Sequence, residues 1–209
     1  MPKETFFNLP EEKREKIMAE VVREFRDYRY DEASINRIVQ RSGIAKGSFY
    51  QYFENKEDVY FYLLALIGEK KMENISPALK NPGSLDFFSL LKEIYRAGIE
   101  FGLNHPDYLE IGNKMMRETS GTIWPKILEK FGPQGQDAYL GILQRAQNNG
   151  EIRKDLDLRL LARMMISMQM TLMEHYFENH GDKGYSLDIL EELDQFFVIL
   201  KTGIAGGKP

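Results

Sequence analysis

The run Ala33-Ser-Ile-Asn-Arg-Ile-Val-Gln-Arg-Ser-Gly-Ile-Ala-Lys-Gly-Ser-Phe-Tyr-Gln-Tyr-Phe53 constrains this chain more than any other stretch. It divides into two short helical pieces at Ser42-Gly43. Glycine tolerates a positive φ, so two helices can meet there at a steep angle over a short link. Ile38 and Val39 before the turn, with Ile44 and Phe49 after it, would lock that angle by packing. The second piece carries small, basic and aromatic residues together. Such a helix can enter the DNA major groove while neighbouring side chains hold the flanking phosphates. The competing reading of the turn alone is a surface hairpin in an all-helical protein.

The remaining chain keeps a helical period, with no alternating strand runs and no hairpin dipeptide between such runs. A first helix starts near Pro10, with Glu11 and Glu12 in its first turn and a stripe of Ile17, Val21, Val22 and Phe25. Ser34 reads as the cap of a second helix, and 44–52 as a third. Asn55 caps a fourth, with Asp58 as its box-like partner. Ser76-Pro77 and Asn81-Pro82-Gly83-Ser84 mark a loop. Helices are predicted at about 85–103, 106–118, 122–131, 135–148, 156–179 and 186–202, with a break at Gly132-Pro133, a glycine cap at Gly150 and a frayed tail from Gly203. The fold class is all-α: a small N-terminal three-helix domain over 1–55, then a larger helical domain over 56–209, joined by helix 56–74.

The net charge of −4 argues at first against nucleic acid. Its distribution reverses that, because residues 33–56 hold Arg37, Arg41, Lys46 and Lys56 against Glu54 alone. A small basic face on an acidic body suits a site-specific binder rather than a purely electrostatic one. The absence of cysteine excludes disulfides, zinc-thiolate sites and thiol catalysis. No apolar run approaches the ~18 residues that span a bilayer, and the first residues show no signal peptide. The expectation is a soluble, cytoplasmic protein without membrane partner, cofactor or metal.

On the third helix the outward residues are Ala45, Lys46, Ser48, Tyr50, Gln51 and Tyr52. Lys46 can reach a phosphate or guanine, and Gly47 lets the backbone approach DNA. Ser48 and Gln51 can bond base edges, and the hydroxyls of Tyr50 and Tyr52 have phosphate reach. Ser34 and Lys56 sit at two other helix N-termini, where backbone N–H groups favour phosphate. Arg37 adds a further base or phosphate contact.

Residues 9–67 resemble the N-terminal domain of the tetracycline-repressor (TetR) family of bacterial transcriptional regulators. The resemblance is carried by Phe25, Ala33-Ser34, Ile38, the Ser42-to-Tyr50 run, Tyr52-Phe53 and Asn55-Lys56-Glu57-Asp58. It implies a helix-turn-helix dimer on a palindromic operator, usually a repressor, with a divergent effector-binding domain. Three features depart from the pattern: Arg29 where glycine is usual, Ala45 where a hydroxyl usually caps the reading helix, and the pair Asn36-Arg37.

The last two segments carry wide apolar stripes. In this family they pair with their twins, which predicts a homodimer through Leu161, Met165, Met168, Leu172, Tyr176, Leu190, Leu193 and Phe197; packing inside one subunit is the alternative. Phe88, Tyr95, Phe101, Tyr108, Met115, Met116, Trp124, Phe131, Tyr139 and Met168 supply surface for a hydrophobic effector, or ordinary core. Two rivals remain. A helical enzyme finds little support, since no Glu-x-x-His pair or phosphate loop is present and His175 with Glu178 is at most half a metal site. A protein-interaction module would require the Lys46–Tyr52 face to be incidental.

Overall fold

The computed structural model describes residues 1–80, 85–180 and 186–204, with side chains omitted for 76–80 and 203–204. Its described residues form ten helices and no strand. The loop expected at 81–84 and the end of the tail lie outside them. Two compact units emerge: Met1–Met72 with His105–Pro125, and Glu73–Asn104 with Lys126–Pro209. This grouping differs from a division at residue 55, because one later helix packs with the N-terminal ones.

The first unit holds α1 (Glu4–Phe7), α2 (Glu11–Asp27), α3 (Ile35–Ser42), α4 (Lys46–Tyr52), the start of α5 (Lys56–Lys80), and α7 (Pro106–Arg117). The α2 helix begins directly after Pro10, whose φ of −52° is set by its ring. Ile17, Val21 and Phe25 face the core at helical spacing. Gly43 adopts φ 72°, the left-handed conformation the turn requires. Ile44 and Ala45 form an extended link, so α4 starts two residues later than the sequence suggested. Asn55 Oδ1 accepts the Asp58 N–H at 2.9 Å, while Asp58 reaches back to the Glu54 N–H at 3.1 Å. That is the expected box, closed one residue earlier. Ser34 does not cap α3 with its side chain. Its own N–H is drawn instead to Glu24, at 2.7 Å.

The α7 helix packs along α2. Lys114 Nζ donates to the Arg26 carbonyl at 2.6 Å, at the C-terminal end of α2, where a cation suits the helix dipole. Arg26 pairs with Asp107 at 3.2 Å, Arg29 with Glu118 at 3.3 Å, and the Thr122 hydroxyl bonds Asp31 at 2.9 Å. Arg29, where the resemblance expects glycine, therefore ties the residues after α2 to the end of α7.

The second unit contains α6 (Phe87–Asn104), α8 (Trp124–Asn148, from Lys126 on), α9 (Leu158–His180) and α10 (Ile189–Ile204). Leu91, Leu143, Ala162, Met165, Leu193 and Phe197 are among its buried core. Two expected breaks are absent. The α5 helix continues through Ser76-Pro77, and α8 runs unbroken past Gly132-Pro133. A proline removes one backbone bond. In α8, Ile127 is buried before the proline, and Leu143 and Ala146 after it, so both halves are held by the core. Gly150 takes φ 75° just past α8, as a glycine cap should.

Candidate nucleic-acid interface

Seven residues make up α4, and its two faces are chemically distinct. Phe49, Tyr52 and Phe53 turn inward at the i, i+3, i+4 spacing of one helix face. Ala45, Lys46, Gly47, Tyr50 and Gln51 are exposed, and Ser48 is half-buried. The Tyr50 ring is braced edge-on against Phe49, with centroids 5.5 Å apart. The exposed face thus presents a cation, an amide and a phenol above a glycine backbone.

Tyr52 does not belong to that face. It is 6% exposed and packs near Phe6, with centroids 6.1 Å apart. The spacing from Phe49 carries its ring into the core, apart from the exposed side chains of Lys46, Tyr50 and Gln51.

Two cations grouped with the face in the sequence are committed elsewhere. Arg37 grips Glu24 through Nε at 2.8 Å and its terminal nitrogen at 2.6 Å. It also donates to the Glu32 carbonyl at 2.8 Å and lies 3.9 Å over the Tyr28 ring. Lys56 donates to the carbonyls of Tyr30, Asp31 and Ala33 at 2.6, 3.1 and 3.1 Å. Partial burial pulls its ammonium below the usual lysine range. Lys56 thereby gathers three carbonyls of the loop between α2 and α3 onto one ammonium.

Glu24 is the residue the sequence reading missed. It is 0% exposed and accepts from the Ser34 N–H, Arg37 and, at 3.3 Å, Arg41. A buried carboxylate is tolerable only when its lone pairs are satisfied in this way. A signal was present: an acid three residues after Val21 on the apolar stripe, and two arginines one helical turn apart.

In the second unit Phe88, Tyr95, Tyr139 and Met168 pack against the core, and Phe101 is buried. Phe131 also belongs to this unit, whereas Tyr108, Met115, Met116 and Trp124 belong to the first. The ten expected effector residues are therefore split between units. Within the second lies an uncharged polar trio. The hydroxyls of Tyr95 and Tyr139 are 2.6 Å apart, and Gln169 Oε1 accepts from them at 3.1 and 2.7 Å. Burial raises both phenols above the ordinary tyrosine range. An open groove of about 560 Å³ is lined by Leu140, Gly141, Gln144, Gln147, Asp157, Leu158 and Arg159, none of them in the expected set.

The residues expected to face a second subunit divide likewise. Leu161, Met165, Tyr176, Leu193 and Phe197 are buried within the chain itself, and Met168, Leu172 and Leu190 pack partly against the same core. The exposed apolar residues are their neighbours: Leu160 and Met164 on α9, with Val198 and Ile199, each 63% exposed, on α10. The wide stripes are thus two faces, one inward and one open. Among the described residues no helix is long and apolar enough to cross a membrane. The His175 ring lies 3.0 Å from the Asn179 amide.

Residues 17–63 match the family described as bacterial regulatory proteins, tetR family. The fatty acid metabolism regulator protein of Bacillus subtilis is 29% identical over 66% of this chain and 69% of its own. A TetR family transcriptional regulator from Chloroflexus aurantiacus superposes with a TM-score of 0.63 at 28% identity, covering 99% of this chain and 100% of that one. The transcriptional regulator FadR from Bacillus subtilis, in complex with stearoyl-CoA, shares the fold with a TM-score of 0.67 at 20% identity, over 91% of this chain and 98% of that one. With the helix-turn-helix in place over the matched residues, the chain carries the DNA-binding domain of the tetR family of bacterial regulatory proteins.

Proposed function

We propose that this regulator is a repressor that grips a palindromic operator as a homodimer and is released by a hydrophobic effector. The observation that carries the reading is the exposed Lys46–Gln51 face of α4, held up by a buried inner face. Lys46 supplies the phosphate or guanine contact, Ser48 and Gln51 the base-edge bonds, and Tyr50 a sugar, methyl or phosphate contact. Arg37, Ser34 and Lys56 serve by holding the α2–α3 junction. One seven-residue helix covers too few base pairs, so a second copy is needed about one helical turn away, roughly 34–36 Å. The open apolar residues Leu160, Met164, Val198 and Ile199 are the surface available for pairing.

A fatty acyl compound is the effector class that the named relatives support. The second unit offers an apolar core with the Tyr95–Tyr139–Gln169 trio as an uncharged polar end for such a ligand. Release follows if the ligand binds the DNA-incompetent arrangement of two reading heads better than the competent one. The α5 helix passes from the first unit into the second at Met72–Glu73 and is the covalent lever. Titrating stearoyl-CoA into a complex of the protein with DNA it has selected should free the DNA. A compound that raises the melting temperature yet leaves DNA affinity unchanged would sink this mechanism.

A further inference from the structure

A helix leaves its last four carbonyls without helical partners. In α4 these belong to Phe49, Tyr50, Gln51 and Tyr52. The Phe49 carbonyl accepts the Phe53 N–H at 2.8 Å. The other three are met by residues that precede α2. Lys3 Nζ donates to the Tyr50 carbonyl at 2.9 Å, the Thr5 hydroxyl to that of Gln51, and the Lys3 N–H to that of Tyr52 at 2.8 Å. Phe53 is extended at φ −131°, so α4 has no left-handed cap of its own. The arm supplies one instead.

The arm is itself pinned. Phe6 is 1% exposed, with its ring 4.8 Å from Phe53 and 5.8 Å from Tyr62. Arg14 of α2 donates to the Phe7 carbonyl at 2.6 Å. The other end of α4 starts at Ala45 with no side-chain cap. A helix this short has no stability alone, so what holds its ends sets its axis.

We propose that Lys3, Thr5 and Phe6 are positioning residues for DNA recognition. The segment Lys3–Phe7 caps the last turn of α4 and fixes the angle at which Lys46, Tyr50 and Gln51 meet the groove. Gln51 shows the coupling most directly, because its carbonyl is held by Thr5 while its side chain faces outward. This rests on α4 being the reading helix.

The test uses the full chain and a duplex that it recovers from a random-sequence library, beside a scrambled duplex. Thr5 is exposed, so Thr5→Val removes the hydroxyl without opening the core. The variant should bind the recovered duplex about fivefold to tenfold more weakly, the worth of one hydrogen bond. Binding to the scrambled duplex and the salt dependence should not change. Amide exchange at Tyr50–Phe53 should quicken, and Thr5→Ser should restore both readouts. A Thr5→Val protein with unchanged affinity and unchanged exchange overturns the proposal. Lys3→Ala tests the alternative that this ammonium touches phosphate. A salt slope lowered by about one on both duplexes would take Lys3 out of the cap. If the unaltered chain recovers no duplex, the reading of α4 as a DNA-contacting helix fails, while the exchange of Thr5→Val without DNA still decides whether the arm caps it.

Discussion

In the first unit one buried carboxylate, Glu24, gathers two arginines and a backbone amide from the α2–α3 junction. In the second unit Leu91, Leu143, Ala162, Met165 and Leu193 belong to a core cluster of apolar side chains. The first arrangement is directional and fixes angles between short helices. The second is not directional and tolerates shape change at constant volume. A DNA-reading head needs a fixed angle, because α4 must present Lys46 and Gln51 together. The effector-binding role proposed for the second unit needs a core that can take a ligand. The contrast shows two ways of spending burial, one on geometry and one on capacity.

Two substitutions would break the comparison. Leu193→Ala should have the larger effect, about 3 kcal/mol of stability, since Leu193 is fully buried and its truncation leaves a cavity. Hydrogen exchange should quicken in α8, α9 and α10 and stay slow in α2 and α3. Glu24→Gln should follow at up to about 3 kcal/mol, because Arg37 and Arg41 lose their carboxylate while keeping some contact with water. Its signature is the reverse: faster exchange in α3 and α4, unchanged exchange in the second unit. Equal effects of either variant on both sets would show that the units do not open independently.

Much of the first unit was legible in the sequence because its constraints are local. Gly43 needs a left-handed φ, Pro10 starts a helix, and Asn55 with Asp58 closes a box over three residues. The limits were set by distance along the chain. Arg37 and Arg41, one helical turn apart, ask for an acid, but nothing beside them says that it is Glu24, thirteen residues before Arg37. Nothing near Tyr52 announces that Lys3 will bond its carbonyl. The short helix α1 carries no periodic stripe and was not foreseen. In the second unit the apolar stripes gave the helices, but a stripe does not say which half faces inward. Leu161 and Met165 are core, while Leu160 and Met164 stand open. Pro133 misled for a similar reason, since one lost bond weighs less than the burial on either side of it.

The central claim is that the outer face of α4 reads DNA. Its most direct test compares Lys46→Ala and Gln51→Ala with the unaltered chain on the recovered duplex and on single-base variants of it. Lys46→Ala should weaken binding to all sequences and lower the salt slope by about one. Gln51→Ala should lose about 1–3 kcal/mol of discrimination at one base position in each half-site and leave the salt slope as it was. Two variants that bind every duplex as the unaltered chain does, with the same sequence preference, would contradict the account.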